Sequence, residues 1–146
     1  MDTAKGTTMA GRLQNVSIVV VDDDADIAEA MQTALVAEGA EVTVVGNGND
    51  AVTTITEEKP QVVVLDMMLP GRSGFLVLEK IKGESDSPIV IMLTANEGKR
   101  HQAYAQSLGV DKYFIKPAPL EALIGACRDL VDAREAEEKK IRKSKK

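Results

Sequence analysis

Residues 16–39 read Val16-Ser-Ile-Val-Val-Val-Asp22-Asp23-Asp24-Ala-Asp26-Ile-Ala28-Glu-Ala-Met31-Gln-Thr-Ala-Leu35-Val36-Ala-Glu-Gly39, and two periodicities meet in them. The first six residues form a short β-branched run, the mark of a strand buried on both faces. After the acids, Ala28, Met31, Leu35 and Val36 return at helical spacing, and Gly39 stands where a helix stops. The stretch is therefore one strand followed by one helix.

The same alternation continues outward. After the Val16–Val21 run, further strands are expected at Glu41–Val45, Gln61–Leu65, Ile89–Leu93 and Lys112–Ile115. A short helix carrying Ala51, Val52 and Ile55 ends before Pro60. Ser73 can cap a third helix with Leu76, Leu78 and Ile81. A polar helix spans about Glu97 to Leu108, and a fifth starts near Pro119 with Leu120, Leu123, Ile124, Cys127, Leu130 and Val131. Five strand-then-helix units predict an α/β fold: a doubly wound, five-stranded parallel sheet with helices on both faces.

Composition sets the class. The 146 residues hold 18 Lys+Arg and 23 Asp+Glu, a net charge of −5, with 44% hydrophobic residues and 3% aromatic. One domain with an aliphatic core fits those numbers. A single cysteine cannot form an internal disulfide. No apolar run approaches the ~20 residues that span a bilayer, and no secretory signal pattern opens the chain. Membrane insertion is thus not expected, and a cytoplasmic location is. Residues 1–15 read as a disordered leader or expression remnant, 16–133 as the globular domain, and 134–146 as a charged tail.

Charge is uneven. The tail from Arg134 holds seven basic and three acidic residues, so it is +4 and the body is −9. An acidic body disfavours nucleic acid, whose phosphates dominate affinity, and the tail lacks stacking aromatics. Direct nucleic-acid binding is not expected. Glu135–Lys139 and Glu138–Arg142 are i,i+4 pairs through which the last helix can continue into the tail.

In open α/β sheets, ligands bind at the carboxyl ends of the strands. The expected ends carry Asp22-Asp23-Asp24, Asp66, Thr94 and Lys116-Pro117. Carboxylates packed together repel unless a cation lies among them, and oxygen-only ligands suit Mg²⁺.

The set Val-Val-Asp22-Asp23, Leu65-Asp66-Met-Met-Leu-Pro70-Gly-Arg-Ser-Gly74, Thr94-Ala95 and Lys116-Pro117 resembles the response-regulator receiver (CheY-like) family of two-component signalling. The resemblance covers residues 16 to about 133 and implies a flavodoxin-like sheet of order 2-1-3-4-5. It implies that Asp66 accepts a phosphoryl group from a sensor histidine kinase or histidine phosphotransfer protein. Asp23, Asp66 and the carbonyl of Met68 would ligate Mg²⁺, with Asp22 holding a metal-bound water. Lys116, before a cis-proline, would neutralise the phosphoryl oxygens. Thr94 and Tyr113 would form the switch pair, signalling through the face of helix 4, strand 5 and helix 5. Met68, Ala95 and Asn96 stand where the family tunes dephosphorylation, so the only catalysis implied is of the chain's own phosphorylation and dephosphorylation. A downstream protein or an output domain elsewhere would read the switch. Two departures stand out: Ser73 replaces a usual acid, and Ala118-Pro119 follows where an aromatic is common.

Other readings compete. Asp22 and Asp24 imitate the Asp-x-Asp signature of haloacid-dehalogenase phosphatases, though no second acidic motif follows Lys116. A pseudo-receiver scaffold is the other alternative. Asp22, Asp24 and Asp26 mimic a calcium loop, but Ile27 and Thr33 stand where that loop needs glycine and glutamate. His101 reads as a surface histidine and Cys127 as an inert core thiol.

Overall fold

The computed structural model describes residues 11–84, 86–95 and 99–144. The chain runs β1 (Ser17–Val21), α1 (Ala25–Ala37), β2 (Glu41–Val45), α2 (Gly48–Glu58), β3 (Val62–Asp66), α3 (Gly74–Lys82), β4 (Ile89–Thr94), α4 (Lys99–Ser107), β5 (Lys112–Ile115) and α5 (Leu120–Ser144). The strands form one parallel sheet of order β2-β1-β3-β4-β5. This is the doubly wound α/β architecture that the alternating pattern predicts.

The pleat sorts the core into two layers. In β1, Ile18 and Val20 face α1 and α5, whereas Val19 and Val21 face the layer of α2, α3 and α4. Every residue of β3 and β4 is buried, which explains their near-continuous Val/Ile/Leu composition. Pairing of Val21 with Leu65 and of Leu65 with Met92 brings the carboxyl ends of β1, β3 and β4 level.

Local signals fix the helix ends. Asp24 caps α1 by accepting from the N–H groups of Asp26 and Ile27, at 3.0 and 3.1 Å. At the other end Gly39 takes φ +93°. Its N–H donates to Val36 and that of Ala40 to Leu35, a Schellman motif. Ser73 caps α3 through the N–H of Leu76.

The structure corrects the sequence reading in two places. Residues 11–15, read as leader, are packed: Leu13 is completely buried in the α1/α5 layer and its N–H donates to Glu38. Arg12 pairs with both Glu38 and Glu121, and its carbonyl accepts from Arg128. Second, Val36 and Leu76 are 49% and 53% exposed; Val77 occupies the core position in α3 instead. The expected start of the polar helix, Glu97, lies outside the described residues; from Lys99 on the helix is present.

Helix α5 continues into the tail as far as Ser144. Its packing ends near Val131 and Arg134, where the Arg134 guanidinium donates to the carbonyl of Ser87 at 2.7 Å. Among the described residues, no helix is long and apolar enough to cross a membrane.

Candidate functional site

The carboxyl ends of β1, β3, β4 and β5 converge on a small acidic cleft. Asp22 and Asp66 are buried, at 3% and 7% exposure, and Thr94 is completely buried. Asp23 lies at the rim, exposed. One carboxylate oxygen from each of Asp22, Asp23 and Asp66 lies within 4.8 Å of the others. Between the two buried acids sits the Lys116 ammonium, 3.0 Å from Asp22 Oδ2 and 3.2 Å from Asp66 Oδ2. The Lys116-Pro117 bond is cis, as the resemblance implies, and the Lys116 N–H donates to the Thr94 carbonyl at 2.7 Å.

The electrostatics follow from that geometry. One ammonium faces three carboxylates, so the cleft is short of positive charge. Burial raises Asp66 above the ordinary carboxylate range, and the neighbouring Asp22 charge adds to this. The Met68 N–H and Lys116 oppose it without reversing it. Burial works against the Lys116 charge, yet hydrogen bonds and attraction from Asp22 and Asp66 leave its pKa raised. Asp66 is thus a carboxylate that binding of a cation would relieve. Oxygen donors alone, with one of them open to solvent, fit a hard divalent ion such as Mg²⁺.

Two backbone contacts orient the acids. The Asp24 N–H donates to Asp22 Oδ1 at 2.9 Å, and the Met68 N–H donates to Asp66 Oδ1 at 3.2 Å. Met68 itself is 67% exposed beside the cleft. Its loop, residues 67–73, is held by the Met67 N–H on Leu93, the Gly74 N–H on Met67, and the Gly48 N–H on Pro70.

Thr94 and Tyr113 lie on neighbouring strands. Thr94 pairs with Ile115 and Met92 with Tyr113, so the two side chains share a face as diagonal neighbours. The Tyr113 ring packs against the α2–α4 layer, and its hydroxyl is buried without a hydrogen-bond partner among the described residues. Burial raises the phenol's pKa. Ala95 is exposed beside the cleft; Asn96 lies outside the described residues.

Residues with competing readings fall elsewhere. Asp24, needed by the phosphatase reading, caps α1 and is not part of the carboxylate cluster. His101 stacks near Phe75, with ring centroids 5.9 Å apart, and is no part of the cleft. Cys127 is buried in the core and its thiol is pushed up to about 12 by burial. Sequence reasoning misses Gly48, whose only signal is its lack of a side chain; it names Gly74 in the Asp66 motif but gives it no role. A Cβ on Gly74 would come within 2.4 Å of the Asp66 carbonyl.

Comparison with known proteins agrees with this geometry. The response regulator receiver domain family matches residues 18–128, so the chain belongs to that family. Solved relatives include a CheY-like receiver domain protein from Methanospirillum hungatei JF-1, at 26% identity and a TM-score of 0.81 over 85% of this chain and 99% of that one. The receiver domain of the Francisella response regulator 1452 is 27% identical, with a TM-score of 0.76 over 83% and 99%. The BeF3-activated N-terminal receiver domain of Klebsiella pneumoniae RstA is 28% identical, with a TM-score of 0.72 over 77% and 95%.

Proposed function

We propose that this receiver domain is a phosphorylation-operated switch whose acceptor is Asp66, with Mg²⁺ as its cofactor. The observation that carries the reading is the Lys116 ammonium held between Asp22 and Asp66 beside a third, solvent-facing carboxylate.

The donor is a phosphohistidine on a sensor kinase or phosphotransfer protein. An Asp66 oxygen attacks phosphorus, the P–N bond breaks, and its electron pair leaves with the imidazole. The product is an acyl phosphate on Asp66. Lys116, already 3.2 Å from that carboxylate, meets the phosphoryl oxygens as they arrive. Asp23, Asp66 and the Met68 carbonyl would hold Mg²⁺ directly, with Asp22 behind a bound water. When bound, the ion supplies the positive charge that three carboxylates and one lysine lack. The setting we propose for this exchange is the cytoplasm.

Thr94 then hydrogen-bonds to the phosphoryl group and Tyr113 turns, remodelling the face of α4, β5 and α5. The Tyr113 hydroxyl, unpaired among the described residues, supports this, because a buried polar group without a partner favours any state that supplies one. That face carries the signal to a downstream protein or output domain. The switching unit runs from residue 16 to about 133, with the rest of α5 as a charged extension.

Phosphorus NMR with phosphoramidate as donor tests the reading. Mg²⁺-dependent growth of an acyl-phosphate resonance that is absent in Asp66→Asn is expected. No such resonance from folded protein would overturn it.

A further inference from the structure

Gly48 opens helix α2, on the far side of the loop that carries Met68, and is named by no motif of the site. It is buried, and its N–H donates to the Pro70 carbonyl at 3.0 Å. A Cβ at this position would lie 1.9 Å from the Arg72 carbonyl oxygen and 2.6 Å from Arg72 Cβ. Its φ is not in the left-handed region, so the glycine is required by proximity and not by backbone conformation. The neighbouring Gly71 does take a positive φ, +81°, and the Asn49 side chain lies over it. The start of α2 therefore presses directly on the turn at 70–72.

That turn continues without a break into the site. Met68, two residues before Pro70, donates its N–H to Asp66, and Gly74 ties the other end of the loop to the Met67 carbonyl. Among the described hydrogen bonds to residues 68–73, the one that comes from outside the adjoining β3 and α3 is the Gly48 N–H on Pro70. A side chain at 48 would have to displace a carbonyl by more than 1 Å to reach ordinary contact.

From this contact we infer that Gly48 is a positioning residue: it sets the place of loop 67–73, and through it the Met68 backbone at the Asp66 carboxylate. The inference rests on the proposed Mg²⁺ and phosphoryl site. A methyl group at position 48 loosens Mg²⁺ and slows phosphoryl acceptance without altering any ligand.

The test compares Gly48→Ala with Gly46→Ala, because a Cβ on Gly46 meets nothing within 4 Å. Three readouts are taken at a temperature where each variant is folded: the Met68 amide resonance in metal-free protein, Mg²⁺ affinity by calorimetry, and the labelling rate with acetyl phosphate. In Gly48→Ala the Met68 resonance should move, Mg²⁺ affinity should fall about tenfold, and labelling at saturating Mg²⁺ should slow similarly. Gly46→Ala should match wild type in all three. An unmoved Met68 resonance with wild-type Mg²⁺ affinity in Gly48→Ala would overturn the inference. If Gly48→Ala does not fold, a backbone ester at position 48 decides the matter. It deletes the N–H donated to Pro70 and adds no atom against Arg72; the same losses support the inference and wild-type values overturn it. Absence of labelling and Mg²⁺ binding in wild type would instead overturn the functional proposal.

Discussion

The ammonium of Lys116 and the carboxylate of Asp66 stand 3.2 Å apart although 50 residues separate them in the chain. The same ammonium reaches Asp22 at 3.0 Å. The pair joins the ends of β3 and β5 across β4, and it leaves Asp66 only partly compensated. Four expectations follow from that arrangement and from the packing around it.

Replacing Asp66 with Asn should stabilise the metal-free protein at neutral pH. Burial raises the folded-state pKa of Asp66 above its unfolded value. Its contribution is therefore fully favourable below the unfolded value, near 3.8, and is lost as pH rises through the higher folded value. At pH 7 the wild type carries that cost, and the neutral amide removes it. A gain of about 1 kcal/mol, a few degrees in Tm, is expected in chelator. The gain should vanish near pH 3 and reverse when Mg²⁺ is added. Thermal melts at the two pH values and with Mg²⁺ check all three points; a less stable Asp66→Asn at pH 7 in chelator contradicts the electrostatic argument.

Mg²⁺ should raise Tm, and Asp23 should be needed for the rise. A ligand at 100 times its Kd adds about 2.7 kcal/mol of stability. Asp23 is exposed, so Asp23→Asn should fold as well as wild type in chelator and lose most of the Mg²⁺-dependent gain. Equal Mg²⁺ responses in the two proteins would remove Asp23 from the ligand set.

The N-terminal segment should matter for stability. Leu13 is completely buried, so Leu13→Ala should cost about 2–5 kcal/mol by urea unfolding. Arg12→Ala should cost far less than Leu13→Ala, because its ion pairs with Glu38 and Glu121 are solvent-exposed. A neutral Leu13→Ala would return residues 11–15 to the status of a leader.

Tyr113→Phe should be neutral or stabilising by up to about 1 kcal/mol in the unphosphorylated protein, since the hydroxyl it removes is buried without a partner among the described residues. Thr94→Ala should still accept phosphate on Asp66 but leave the Tyr113 ring resonances unmoved on phosphorylation. A ring response equal to wild type would uncouple the two residues.

Strand positions were legible because β-branched runs mark strands buried on both faces, and β3 and β4 are such strands. Asp22, Asp66, Thr94 and Lys116 were legible as strand-end residues, and a parallel sheet must bring strand ends together. Which acids Lys116 touches was not legible: Asp22 is 94 residues away, and only the sheet order decides their distance. Val36 and Leu76 sit at helical spacing yet face solvent, because a stripe cannot say where the neighbouring layer ends. Leu13 is a single apolar residue in a polar stretch and has no periodicity to report. Gly48 is invisible for a different reason, since its role is the atom it lacks.

The central claim is that Asp66 accepts the phosphoryl group, and site mapping tests it most directly. The protein would be incubated with acetyl phosphate and Mg²⁺, the acyl phosphate trapped, and the modified residue found by peptide mass spectrometry. Modification confined to Asp66, and lost both in chelator and in Asp66→Asn, is the predicted result. Modification on Asp22 would contradict it and point to phosphatase chemistry, and an unmodified, folded protein that binds Mg²⁺ would contradict it in favour of a scaffold.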